Sequence, residues 1–118
     1  MLSAMRLLIL AALASTLAAA QDQTPNRREI TITARDHQFI PNRIEVAQDD
    51  LVRLSLTSED QTYSFAMDAY RIIRRIGSKK TSVFEFRAGQ AGTFTFYCNL
   101  TRDPRCREMK GTLVVHPR

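Results

Sequence analysis

The 118-residue sequence contains no tryptophan, only two cysteines and two histidines, and after its first twenty residues no long apolar run. A membrane-spanning helix needs about twenty predominantly apolar residues, so no span is expected in the rest of the chain. No Ser-His-Asp order, H-E-x-x-H pair, P-loop or Gly-rich dinucleotide turn is present, and no enzyme activity is expected. Asp49-Asp50 and Glu59-Asp60 are acidic pairs, but each falls at an expected strand end, where a solvated turn is the ordinary explanation. A recognition helix and aromatic-basic interleaving are also missing, which argues against nucleic acid as a partner.

The long apolar run that does occur lies at the start. Met1 to Arg6 is a short positive segment, Leu7 to Leu17 is apolar, and Ala18-Ala19-Ala20 offers small residues for cleavage before Gln21. This pattern predicts a signal peptide over 1–20 and a periplasmic or secreted mature chain. No cysteine follows the run to carry a lipid. Loss of Arg6 with the leader takes the net charge from +5 to +5 − 1 = +4. The positive residues cluster: Arg71, Arg74, Arg75, Lys79 and Lys80 form one basic patch, and Arg102, Arg105, Arg107 and Lys110 flank the cysteines. Such a face can be simply solvated, or it can steer an acidic partner.

Residues 21–28 are polar, include Pro25 and show no periodicity, as expected of a tether ahead of a single domain over 29–118. From Glu29 onward apolar residues alternate: Ile30/Ile32/Ala34, Ile44/Val46, Val52/Leu54/Leu56, Phe84/Phe86 and Phe94/Phe96. Period two marks half-buried strands. Tyr70 to Ile76 is readable as a short helix or a strand, and the extended form is preferred here. Turn clusters punctuate the chain at Pro41-Asn42, Gln48-Asp49-Asp50, Ser58-Glu59-Asp60, Gly77-Ser78 and Ala88 to Gly92. About seven short strands without a sustained helical period predict an all-β sandwich. An immunoglobulin domain would place distant cysteines on facing strands around a tryptophan. Here the cysteines sit eight positions apart and the tryptophan is missing.

Phe94, Phe96 and Cys98 share one parity, so the Cys98 thiol should point inward with the rings. A polar loop then brings Cys106 and Met109 back before the last apolar strand. Three soft sulfurs at a sheet mouth can hold a soft metal. Two of them can equally form a disulfide, and an even count in an oxidising compartment favours pairing.

The segment Phe39-Ile40-Pro41-Asn42-Arg43-Ile44-Glu45-Val46 resembles the F-x-P-x-x-I-x-V opening of cupredoxins, and Asp50-Leu51-Val52-Arg53-Leu54 the strand that follows it. Thr57 to Phe65 resembles the T-S-x-D-x-x-H-S-F motif of the binuclear copper (CuA) domain of cytochrome c oxidase subunit II and nitrous oxide reductase. Ala91 to Cys98 and Met109 to Val115 resemble that domain's G-x-Y-x-F-Y-C strand and M-x-G-x-L-V-V ending. The resemblance runs from about Ile30 to Val115 and implies a cupredoxin-like Greek-key sandwich.

The same resemblance implies an altered metal site. The first cysteine and the methionine of the family pattern fall on Cys98 and Met109. The first histidine position holds Tyr63, the second cysteine position Arg102 and the second histidine position Cys106. A phenol is neutral at physiological pH, and an arginine cannot deprotonate beside a cation. His37 and His116 lie outside the register and are expected at the surface. The leading expectation is therefore a metal-free, non-catalytic, monomeric scaffold closed by a Cys98–Cys106 disulfide that binds a protein partner, an acidic one if the basic face is used. The alternative is a copper protein for electron transfer or copper delivery, with Cys98, Cys106 and Met109 as ligands to Cu(I) or Cu(II).

Overall fold

Each strand in this chain has one apolar side, and two sheets bury those sides against each other. The computed structural model describes residues 26–118; the leader expected over 1–20, and residues 21–25 of the tether, lie outside them. Nine strands follow in order: β1 Arg27–Arg35, β2 Gln38–Ile40, β3 Arg43–Ala47, β4 Leu51–Ser58, β5 Tyr63–Met67, β6 Ile72–Ile76, β7 Thr81–Arg87, β8 Gly92–Tyr97 and β9 Lys110–His116. One sheet has the order β2-β1-β4-β7 and the other β3-β9-β8-β5-β6. The β1–β4 and β3–β9 pairs are parallel, and the remaining pairs are antiparallel.

The all-β sandwich agrees with the alternation read from the sequence, and Tyr70 to Ile76 resolves into a single 3-10 turn at Asp68–Tyr70 followed by strand β6. β2 and β5 are strands without a period-two signal in the sequence. β2 alternates exposed-buried-exposed but is only three residues long, too short for a period to be read, and every residue of β5 is buried, so that strand has no polar face to alternate with. The tether boundary also moves. Arg27 and Arg28 belong to β1, where they pair with Leu51 and Val52 of β4; backbone pairing of this kind needs no side-chain pattern.

Phe65 stacks on Phe96 with ring centroids 5.0 Å apart, and Phe39 meets Phe96 edge-on at 5.4 Å. Ile32, Leu54, Leu56 and Leu113 surround them and are fully buried. Each such side chain contributes about 1.5–3 kcal/mol, so this cluster sets the spacing of the sheets. Between β6 and β7 the sandwich has an open side. There the Arg74 guanidinium lies 4.9 Å from the Phe84 ring centroid and donates to its own neighbour, the Ile73 carbonyl, at 2.9 Å. Asp50 departs from the solvated-turn expectation. Its side chain is 3% exposed, and its carboxylate accepts from the Ala47 N–H at 2.9 Å and pairs with Arg118 at 2.9 Å.

Candidate functional site: the closed cysteine loop

The end of β8 delivers Cys98 inward, as its parity requires, and a 3-10 turn over Pro104–Glu108 delivers Cys106 to it. The two are joined as a disulfide with Cα atoms 5.2 Å apart, and both are essentially inaccessible to solvent. The surrounding hydrogen bonds hold the sulfurs in place. The Ser64 N–H approaches Cys98 Sγ at 3.4 Å, and the Leu100 N–H approaches Cys106 Sγ at 3.3 Å. The Ser64 hydroxyl accepts from the Asn99 N–H at 2.8 Å. Met109 follows within the same turn; its carbonyl accepts from the Cys98 N–H, and its side chain is buried.

Asp103 anchors the middle of the loop. It caps the 3-10 turn by accepting from the Arg105 N–H at 3.1 Å. Its other oxygen accepts from Gln61 Nε2 and from His37 Nε2, both at 2.7 Å. A carboxylate can only accept, so His37 Nε2 carries the proton. The His37 hydrogen bond is the main reason that the Asp103 carboxyl sits below its ordinary pKa range.

His37 thus departs from the expectation that it lies at the surface, away from the cysteine loop. It sits with Asp36 in the two-residue turn between β1 and β2, where both residues have positive φ (49° and 56°). This is the geometry of a type I′ hairpin, and aspartate and histidine tolerate it better than most residues. The turn docks on the loop end: the Asp36 N–H donates to Asp60 at 2.9 Å, and the His37 N–H donates to the Tyr63 hydroxyl at 3.2 Å. The usable signal was an Asp-His pair between two alternating runs, obscured because the turn lacks glycine. His116 stays on the other side of the register, exposed and paired with Glu45.

Tyr63, at the position of a family histidine, points inward and is fully buried. Its hydroxyl is engaged by His37 and Asp60, and burial raises its pKa to about 12. The phenol is therefore neutral, and it ties the hairpin to the loop. A titration prediction follows. In the unfolded chain the phenol ionises near 10, whereas in the folded chain it does not until about 12. The stabilisation is complete below pH 10 and is lost as pH rises from about 10 to 12. Absorbance at 295 nm should show one tyrosine ionising later than the other two, and Tyr63→Phe should remove that last step. Three phenols ionising together near pH 10 in the folded protein would contradict this reading.

Arg102, at the position of the family's second cysteine, is exposed. With Arg75, Leu100, Thr101 and Asp103 it lines a hollow of about 470 Å³. Of the remaining basic residues, Arg71, Lys79 and Lys80 are also exposed, around β6. The residues at the family's ligand positions do not fit a redox copper centre in this state. The sulfurs are spent on each other, the phenol is protonated, and a fixed cation stands where a thiolate would be. Among the described residues no three His, Cys, Asp or Glu side chains converge as a metal site, and no helix is long and apolar enough to cross a membrane.

Solved structures of similar fold include copper proteins. Auracyanin A, a blue copper protein from Chloroflexus aurantiacus, superposes with a TM-score of 0.65 at 16% identity, over 77% of this chain and 100% of its own. A chain of a heme-copper terminal oxidase dimer superposes with a TM-score of 0.66 at 15% identity, over 98% and 90%. The metal-binding domain of the Cu(I)-exporting P-type ATPase of Streptococcus pneumoniae D39 gives 0.66 at 16% identity, over 80% and 90%. At these identities the likeness concerns the fold alone. A family model for the cupredoxin-like domain matches residues 5–115, and with two facing sheets and a cysteine loop at their mouth, the chain belongs to the cupredoxin-like domain family.

Proposed function

We propose that this protein is an exported, non-catalytic cupredoxin-like scaffold whose former metal loop is held shut by the Cys98–Cys106 disulfide, and that it works by binding a protein partner. The carrying observation is the bond itself, reinforced by what surrounds it. Loop closure, which in a copper protein is shared with the metal, here comes from the disulfide, the His37–Asp103 hydrogen bond and the Ser64–Asn99 hydrogen bond. Tyr63 and Arg102 have been turned to hydrogen bonding and surface charge. Export is supported by the leader pattern over 1–20.

A second reading has its own support: the structural neighbours are copper proteins, and Met109 is buried beside the disulfide. In that reading Cys98 and Cys106 are thiols rather than a disulfide, and the two sulfurs with Met109 would hold Cu(I) for copper delivery or electron transfer. Copper titration in the presence of a competing chelator separates the two. The scaffold reading expects no stoichiometric copper retained by the thiol-reduced protein. One copper retained per chain would replace it with the second reading.

A further inference from the structure

We propose that the outward side of β6 and the neighbouring cysteine loop form a docking surface for an acidic segment of a protein partner, with Arg75 and Arg102 receiving its carboxylates. This rests on the scaffold reading above and names the partner's chemistry.

The arginines of this chain fall into two groups. Arg35, Arg43, Arg53, Arg87 and Arg118 each have a carboxylate within 4.0 Å. Arg75 and Arg102 are among the eight described arginines that have none, and what sets these two apart is that they line the same hollow. The one carboxylate in that hollow, Asp103, already accepts from His37, Gln61 and Arg105. Two unpaired guanidinium groups thus flank a concavity that also offers Leu100. Guanidinium forks suit carboxylates arriving from a partner.

The apolar part of the surface lies alongside. Ile73 is 63% exposed, the highest value among the large hydrophobic residues described. It sits two residues before Arg75 on the same side of β6, opposite Ala66 of β5, which in turn faces Tyr97 of β8. Arg74 points the other way, toward Phe84, and its donation to the Ile73 carbonyl occupies a backbone acceptor. Addition of a partner strand to this edge is thereby hindered, and recognition falls to side chains. A lipid surface suits the site less well, because a flat anionic bilayer would meet Asp60 and Asp103 at the same end of the sandwich.

The test uses oxidised full-length protein and a short fluorescein-labelled peptide of repeating Glu-Glu-Leu units, followed by anisotropy at low salt. The double variant Arg75→Glu/Arg102→Glu should weaken binding at least about tenfold, as loss of close charge pairs does. Arg27→Glu/Arg28→Glu makes the same change in net charge at the far end of β1 and should leave affinity within about twofold. Absence of binding to the unmodified protein overturns the proposal, and so does equal loss in both double variants. Binding to phosphatidylglycerol vesicles but not to the peptide also overturns it, in favour of a membrane. A thiol assay on the same sample keeps the two levels apart. Free thiols would sink the disulfide scaffold, whereas oxidised protein that ignores the peptide would sink only this surface.

Discussion

Replacing Gly111 by alanine is expected to lower the melting temperature by roughly 12–24 °C, the equivalent of about 3 kcal/mol in a domain of this size. Gly111 lies in β9 directly opposite Phe96 of β8 and is buried. A Cβ there would fall on the Phe96 ring and stand 2.8 Å from the Asn42 carbonyl oxygen. Neither neighbour can give way easily. The ring is packed between Phe39 and Phe65, and the Asn42 carbonyl accepts the Thr112 N–H at 2.8 Å. Gly89→Ala is the matched control. An added Cβ there meets nothing within 4 Å, so the change should stay within about 0.5 kcal/mol. Thermal melts followed by circular dichroism would decide it; similar small shifts for both variants would mean that β8 and β9 are not packed as described.

Cys106→Ser is expected to cost about 2–3 kcal/mol on the loop-entropy model for an eight-residue separation. That corresponds to a fall of roughly 8–24 °C in melting temperature, with no metal in the buffer. Reduction of the unmodified protein should give a shift of similar size. The variant should still fold, because the Asp103 hydrogen bonds to His37 and Gln61 and the Ser64–Asn99 hydrogen bond do not depend on the sulfurs. If the cysteines served copper instead, the metal-free protein would melt at nearly the same temperature with or without Cys106.

These two residues also show how much of the molecule could be read before folding. Phe94, Phe96 and Cys98 share a parity in the sequence, and the structure turns Phe96 and Cys98 inward as that parity requires. Alternation works wherever a strand has one wet face, and it was silent for β5, which has none. The resemblance located the loop and its substituted positions, but His37 escaped it. A contact across 66 residues, made by a turn without glycine, leaves no periodic trace. The basic cluster was visible as composition, yet its division was not. Only the fold shows that Arg74 covers Phe84 while Arg75 shares a hollow with Arg102. Asp50 is a similar case, since Arg118, its partner, is 68 residues distant in sequence.

The state of two sulfur atoms decides between a loop sealed by covalent chemistry and one waiting for an ion. Alkylation of the unfolded chain without reductant, followed by intact mass, reads that state directly. A chain lighter by two hydrogens than its reduced form, with no alkyl adduct, is the expected result. Two adducts per chain on protein purified under oxidising conditions would contradict it.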